Sequence, residues 1–400
     1  MIDVLGTRKR AGRPELEIVE GGEPDEPTGP EERARMATAT RLFEGVFRSA
    51  GDHLCGATEP LAAEVWASAM LAIWADGLVP GGTGDGFTGA LVRHAARQRT
   101  PEGAALLLAM SAVASPDVAE EARAGAESLF CAGVPIPVWA DRVGRAEATE
   151  AWIGTDVYGD QDILIIGFGY PGRGALPHGD RHTLCVLVDH NDGGRAKDAY
   201  PAADLPATLA RWREAEANGI TLRQCPLSEV AGRLEDALAA AAAAESDGRL
   251  LELRSLLAAR LGAMPSPERA VPPGTDDESR AGLVTEFLES PEAAPLLMEP
   301  SVVDASHRLI DYRCTRESDP LRFSPTVVGR YLLDHVPATA VGSDPCDLAA
   351  IPDVLSAWVR YGARRRGLGS AAVARTLSAL DACRADFSFL VAQATAGVQL

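Results

Sequence analysis

The sequence predicts a predominantly helical α+β protein with a small central β-sheet region. Three observations carry this. Apolar residues recur at three- and four-residue steps through residues 31–132. Two short apolar runs, 163–166 and 183–188, are bounded by polar turn formers. A Pro-rich stretch at 263–278 then precedes a second helical region, 279–400.

Residues 1–30 mix Gly, Pro, Glu and Asp and read as a disordered tail. Arg8, Lys9 and Arg10, followed by Gly12, Arg13 and Pro14, resemble a short minor-groove DNA arm, with Ala11 where that pattern has Arg. The acidic stretch 15–32 follows at once and offsets those charges. Across 31–145 the pattern is that of a helical domain. Trp66, Met70 and Trp74, four apart, form one packing face. Ser115, Pro116 and Asp117 read as an N-cap, a proline at the first helical position and an acid in the first turn.

Residues 146–225 form the small β-containing region. The runs 163–166 and 183–188 fit strands buried on both faces, with a third strand at 221–225. Between the first two lies a Gly/Pro-rich loop, 169–181, and after the second comes a turn at 189–194 ending in Gly193 and Gly194. Residues 226–262 read as helices: one capped by Ser228 and running into the alanine tract 239–244, and another from Leu250 to Leu261. Beyond the linker, Ser324 and Pro325 open a helix through Asp334. Pro352 opens another through Arg366, which Gly367 stops in a left-handed cap, and Ser370 caps a last one. Arg364, Arg365 and Arg366 sit at the negative end of the Pro352 helix; with Arg360 they form the one basic patch that merits testing against phosphate or an acidic protein.

The chain has 38 basic and 57 acidic residues, net −19. A surface this acidic is repelled by nucleic acid and anionic lipid, so a nucleic-acid partner is expected only through residues 8–14. Lys occurs at Lys9 and Lys197 alone. The seven cysteines are widely spaced, without the paired spacing of a zinc module. Apolar flanks around Cys131 and Cys185 suit buried thiols in a reducing compartment. With no signal-peptide pattern and no membrane-length apolar run, the expected location is cytoplasmic, with no membrane partner.

The densest polar cluster falls in the β region: His178, Asp180, His182, Asp189, His190, Asp192, Lys197 and Asp198, with Asp156, Asp160 and Asp162 before the first strand. If 182–190 is one strand, His182 and His190 lie about 26 Å apart and cannot share an ion. The candidate catalytic residues are Asp189, His190, Lys197 and Asp198. A general base needs an orienting partner, and Asp189 and Asp198 would orient His190. A divalent metal would need His190 and several carboxylates together. On this reading the two strands would have to be parallel for 160–162 to approach His190. The same residues also suit a plain turn, with Lys197 pairing with Asp198 or Asp192. No nucleophile elbow, phosphate loop or dinucleotide fingerprint occurs, and no cofactor is specified.

Several phrases have a family look: Ala132 to Ala140 around Trp139, Asp156 to Gln161, and His182 to His190 with Gly193, Gly194, Lys197 and Asp198. Arg322 to Pro325 and Pro352 to Arg360 around Trp358 belong with them. Together they resemble a group of uncharacterised actinobacterial proteins. The resemblance covers most of the chain after residue 30 and implies one architecture without an activity. The first expectation for function is a cytoplasmic interaction or regulatory protein with protein partners. The alternatives are a hydrolase or nuclease-like enzyme using the cluster at 189–198, with or without metal, and a DNA-associated protein using the basic tail.

Overall fold

A computed structural model describes residues 30–75, 84–171, 181–202, 204–214, 219–242, 249–269, 276–297, 300–314, 319–340 and 343–395. The basic segment 8–14, His178, Asp180 and most of the Gly/Pro-rich loop lie outside them. The chain divides into two compact units, residues 1–46 and 47–400. Helix α1 (Pro30–His53) supplies the described part of the first unit and opens the second. The second unit joins helices to a five-stranded antiparallel sheet, which gives the predominantly helical α+β class that the sequence predicts. Among the described residues no helix is long and apolar enough to cross a membrane.

The second unit begins with α2 (Pro60–Ala75), α3 (Gly84–Gln98), α4 (Pro101–Val113) and α5 (Pro116–Cys131). Helix α4 is apolar on most sides because α2, α3 and α5 all pack on it. Thr100 caps it, its hydroxyl accepting from the Gly103 amide at 3.2 Å, and Pro101 starts it. Trp66 and Trp74 are buried, the latter against Phe87. Ser115 holds the cap position of α5, but its side chain makes no capping bond. Cys185 is buried as expected; Cys131 is exposed at the end of α5.

The sheet comprises β1 (Glu147–Thr155), β2 (Gln161–Gly169), β3 (Arg181–Asp189), β4 (Arg195–Ala202) and β5 (Thr221–Cys225), in the order β4-β3-β2-β1-β5. Helix α6 (Leu205–Glu214) covers one face, where Leu205 and Leu209 meet Ile163, Ile165 and Cys185. Helices α7 (Leu227–Ala242) and α8 (Arg249–Gly262) pack on β4, and α7 also on β1. Burial on both sides explains the near-continuous apolar runs of β2 and β3. Ser228 lies inside α7 rather than capping it, and its hydroxyl donates to Glu268 at 3.1 Å. The first part of the expected linker is laid along α7. The Glu268 amide donates to the Ser228 carbonyl at 2.9 Å, and a Cβ at Gly232 would stand 2.5 Å from the Glu268 carbonyl.

The remaining layer holds α9 (Asp277–Leu288), α10 (Val302–Cys314), α11 (Pro325–Arg330), α12 (Val336–Thr339), α13 (Pro345–Ala349), α14 (Ile351–Arg366) and α15 (Ser370–Thr395). Its core centres on Phe287, Tyr331, Trp358 and Tyr361. Ser324 caps α11 as expected. The helix then widens into a π turn at Tyr331–His335, where the Val336 amide bonds the Tyr331 carbonyl. Pro337 explains this: it has no amide for the Leu333 carbonyl, and its ring crowds that carbonyl. Gly367 takes φ +69° and ends α14 as the sequence predicts. The neighbouring guanidinium groups are engaged: Arg364 with Glu292 at 2.8 Å, Arg365 with Glu286, and Arg366 with Asp319 at 3.3 Å.

Gly362 lets α14 approach the segment before α11, because a Cβ there would sit 2.7 Å from the Leu321 carbonyl. Gly362→Ala is expected to destabilise the protein by about 1–3 kcal/mol, read as a lower urea midpoint. An unchanged midpoint would mean the two backbones separate freely.

Candidate functional site

Strand pairing builds the site. β2 and β3 are antiparallel with Gln161 opposite Asp189, so the β1–β2 turn and the β3–β4 turn lie side by side at one end of the sheet. The requirement for parallel strands is therefore corrected: the start of one strand lies beside the end of its antiparallel partner. The His190 amide donates to the Asp160 carbonyl at 2.8 Å. The next residues make a single 3-10 turn, His190–Asp192, and Gly193 and Gly194 follow at φ +67° and +69°, a backbone that favours glycine.

Asp162, at the start of β2, is 3% exposed. Its Oδ1 accepts from the Thr155 hydroxyl at 2.6 Å. Its Oδ2 accepts from His190 Nε2 at 2.9 Å and from Arg233 Nη1, on α7, at 2.7 Å. Burial alone would raise the Asp162 pKa. The bonds from His190 and Thr155, with the charges of His190 and Arg233, outweigh it and hold the carboxyl below the usual range. An ionised carboxylate only accepts, so the hydrogen of a neutral His190 ring is assigned to Nε2 and Nδ1 is left as a base. The His190 side chain is 36% exposed.

The expected grouping of Asp189, His190 and Asp198 is not formed. Asp189 shapes the turn: its carboxylate accepts from the Asn191 amide at 2.9 Å and from Lys197 Nζ at 3.0 Å, and its carbonyl accepts from the Gly194 amide at 3.0 Å. Burial raises the Asp189 pKa, but Lys197 and the Asn191 amide bring it below the ordinary value. Lys197 and Asp198 stand on β4 rather than in the turn, at a shift in its register with β3, where Leu187 opposes Asp198 and Val188 opposes Ala196. Asp198 accepts from the following Ala199 amide at 2.8 Å, and Asp192 pairs with Arg195 at 2.6 Å. Of the four residues singled out, His190 alone combines with a new partner, Asp162, into an acid–base pair.

A cleft of about 570 Å³ opens beside that pair, lined by Asp162, His190, Gly193, Arg233, Arg322 and Arg366 among others. Arg322, only 5% exposed in its side chain, ties the two turns together. It donates to Asp160 Oδ1 at 2.9 Å, the Gly159 carbonyl at 2.7 Å and the His190 carbonyl at 3.2 Å. Arg366 Nη1, also at the cleft, is buried without a described partner. The sequence reading placed Asp162 in the polar cluster but held it away from His190 unless the strands were parallel, and it missed Arg233 and Arg322 as neighbours, although Arg322 stood within a phrase of the resemblance. Among the described residues no three His, Cys, Asp or Glu side chains converge to hold a metal ion. No protein-family model, curated protein or solved structure matches this chain.

His182 belongs elsewhere, as its distance along β3 required. It is 3% exposed, stacks on Phe168 at 5.4 Å, and Arg260 Nε donates to its Nε2 at 3.3 Å. Arg260 also pairs with Glu64 and donates to the Tyr170 hydroxyl at 2.8 Å; Glu64 accepts from the Gly144 amide at 2.7 Å. Burial, with the Arg260 charge, pulls the His182 pKa from 6.5 to about 3. The unfolded ring takes up a proton in that window and the folded ring does not. Stability is therefore full above about pH 6.5 and falls as pH drops toward 3, by up to about 1.4 kcal/mol per unit. His182→Gln keeps an acceptor for Arg260 and does not titrate. Its urea midpoint is expected to change less than that of the parent between about pH 6.5 and 4.5. Parallel pH profiles for the two proteins would remove His182 as the source.

Proposed function

We propose that the protein is a hydrolase acting on a small anionic ester, with His190 as the general base. The carrying observation is the buried Asp162 carboxylate on His190 Nε2, which leaves Nδ1 as the basic nitrogen of a residue that lines the cleft. Water is the nucleophile in this reading. Among the described residues, Thr155 is the one hydroxyl-bearing side chain lining the cleft, and its hydrogen is directed to Asp162. Nδ1 takes a proton from the water as its oxygen bonds to the acyl carbon or phosphorus. The bond to the leaving oxygen breaks with its electron pair, and the imidazolium returns the proton to that oxygen. Asp162 stabilises the cation in between. Arg233, Arg322 and Arg366 favour an anionic substrate, although each shares its charge with a carboxylate.

The test is a panel of chromogenic carboxylic and phosphoric esters, each with and without a second anionic group, turned over by the parent protein and by His190→Gln. Turnover of an anionic member by the parent and its loss in the variant is the expected result. Equal turnover by both, or none across the panel, would sink the reading.

A further inference from the structure

We infer that the groove between α5 and α8 is a docking site for an acidic amphipathic helix of a partner protein. The groove encloses about 1320 Å³ and lies apart from the His190 cleft, with no lining residue in common. Its lining includes the apolar side chains of Leu71, Leu108, Val143, Phe130 and Ile136. Phe130 is 61% exposed and Ile136 43%, an expense for a side chain that covers nothing.

Length and charge select the occupant. The α5 residues that line the groove run from Pro116 to Phe130, about 21 Å of helix, which matches a partner helix of about four turns. Three guanidinium groups edge the groove: Arg123 on α5, Arg145 before β1, and Arg254 on α8. None of them has an ion-pair partner among the described residues. Most arginines of the sheet and the C-terminal layer, by contrast, are paired with carboxylates. Two acids share the edge, Glu127 and Asp141, and Asp141 is within 3.8 Å of Arg142. In a chain of net charge −19 this edge is locally cationic. An apolar trough flanked by unpaired cations fits a helix with an apolar stripe and acidic flanks.

The probe is a displayed library of random 16-residue helical peptides, selected on the full-length protein, with enriched peptides then measured by fluorescence anisotropy. Enriched sequences are expected to pair an apolar i, i+3/i+4, i+7 stripe with net negative charge. Their affinity is expected to fall about ten-fold or more for Phe130→Ser and for Arg123→Glu with Arg254→Glu. Both variants change exposed side chains, and unchanged circular dichroism shows that they fold. Failure to enrich, enrichment of basic or uncharged peptides, or binding indifferent to both variants overturns the proposal. Sedimentation supplies the remaining outcome: a dimer of the parent that Phe130→Ser dissociates would give the groove to a second copy and overturn it equally. None of these results depends on His190.

Discussion

Arg260→Met is expected to lower the stability of the protein by about 3–5 kcal/mol, the largest effect of any single substitution considered. Arg260 and Glu64 are 2% and 0% exposed, so neither charge is solvated by water. The pair joins α2 to α8, and through the Tyr170 hydroxyl and His182 it reaches the ends of β2 and β3. Removing the guanidinium leaves a buried carboxylate that, among the described residues, has the Tyr170 hydroxyl and the Gly144 amide to satisfy it. The double variant Glu64→Met with Arg260→Met buries no unpaired charge and is expected to recover much of the loss. Urea unfolding of the two single variants and the double variant measures this. A cost below about 1 kcal/mol for Arg260→Met would mean that water reaches the pair.

Asp162→Asn is expected to reduce turnover by about 10²–10⁴-fold on any ester the protein hydrolyses. The amide preserves the shape of the carboxylate but removes the negative charge that stabilises the imidazolium. Its oxygen stays toward His190 and Arg233, which both donate to Oδ2, and its NH₂ takes the Thr155 side, where the hydroxyl can turn to accept. The loss should fall on kcat rather than KM, because the anion contacts of Arg322 and Arg366 are retained. A loss smaller than about ten-fold would show that His190 does not act as a base through Asp162. The same substitution has a second readout. The folded Asp162 carboxyl lies below its unfolded value of about 3.9, so its stabilising share is present above that pH and is lost as pH falls through the folded value. Asp162→Asn should be less stable than the parent at pH 7, with the gap closing in acid.

The sheet was partly legible in the sequence because apolar runs report burial on two faces. β2 and β3, at 161–169 and 181–189, each extend beyond the apolar runs 163–166 and 183–188. β5 coincides with its expected span. β1 and β4 were not individually legible. β1 opens with polar residues that stay exposed or half-buried, and the edge strand β4, with Lys197, Asp198 and Pro201, lacks β-branched residues. The site failed at a different level. His190 stood out by its neighbours along the chain, but its partner is set by strand register, and Asp162 is 28 residues away. Arg233 reaches the same oxygen from a helix whose sequence reads only as amphipathic, so no local pattern marks it.

Arg322 lies 132 residues after His190 along the chain and fastens both turns beside it. A nascent chain can pair β2 with β3 long before that arginine has left the ribosome. The pocket around the imidazole is thus finished only late in synthesis, and a product that stops before residue 322 would carry the histidine and its carboxylate without the clasp that sets them.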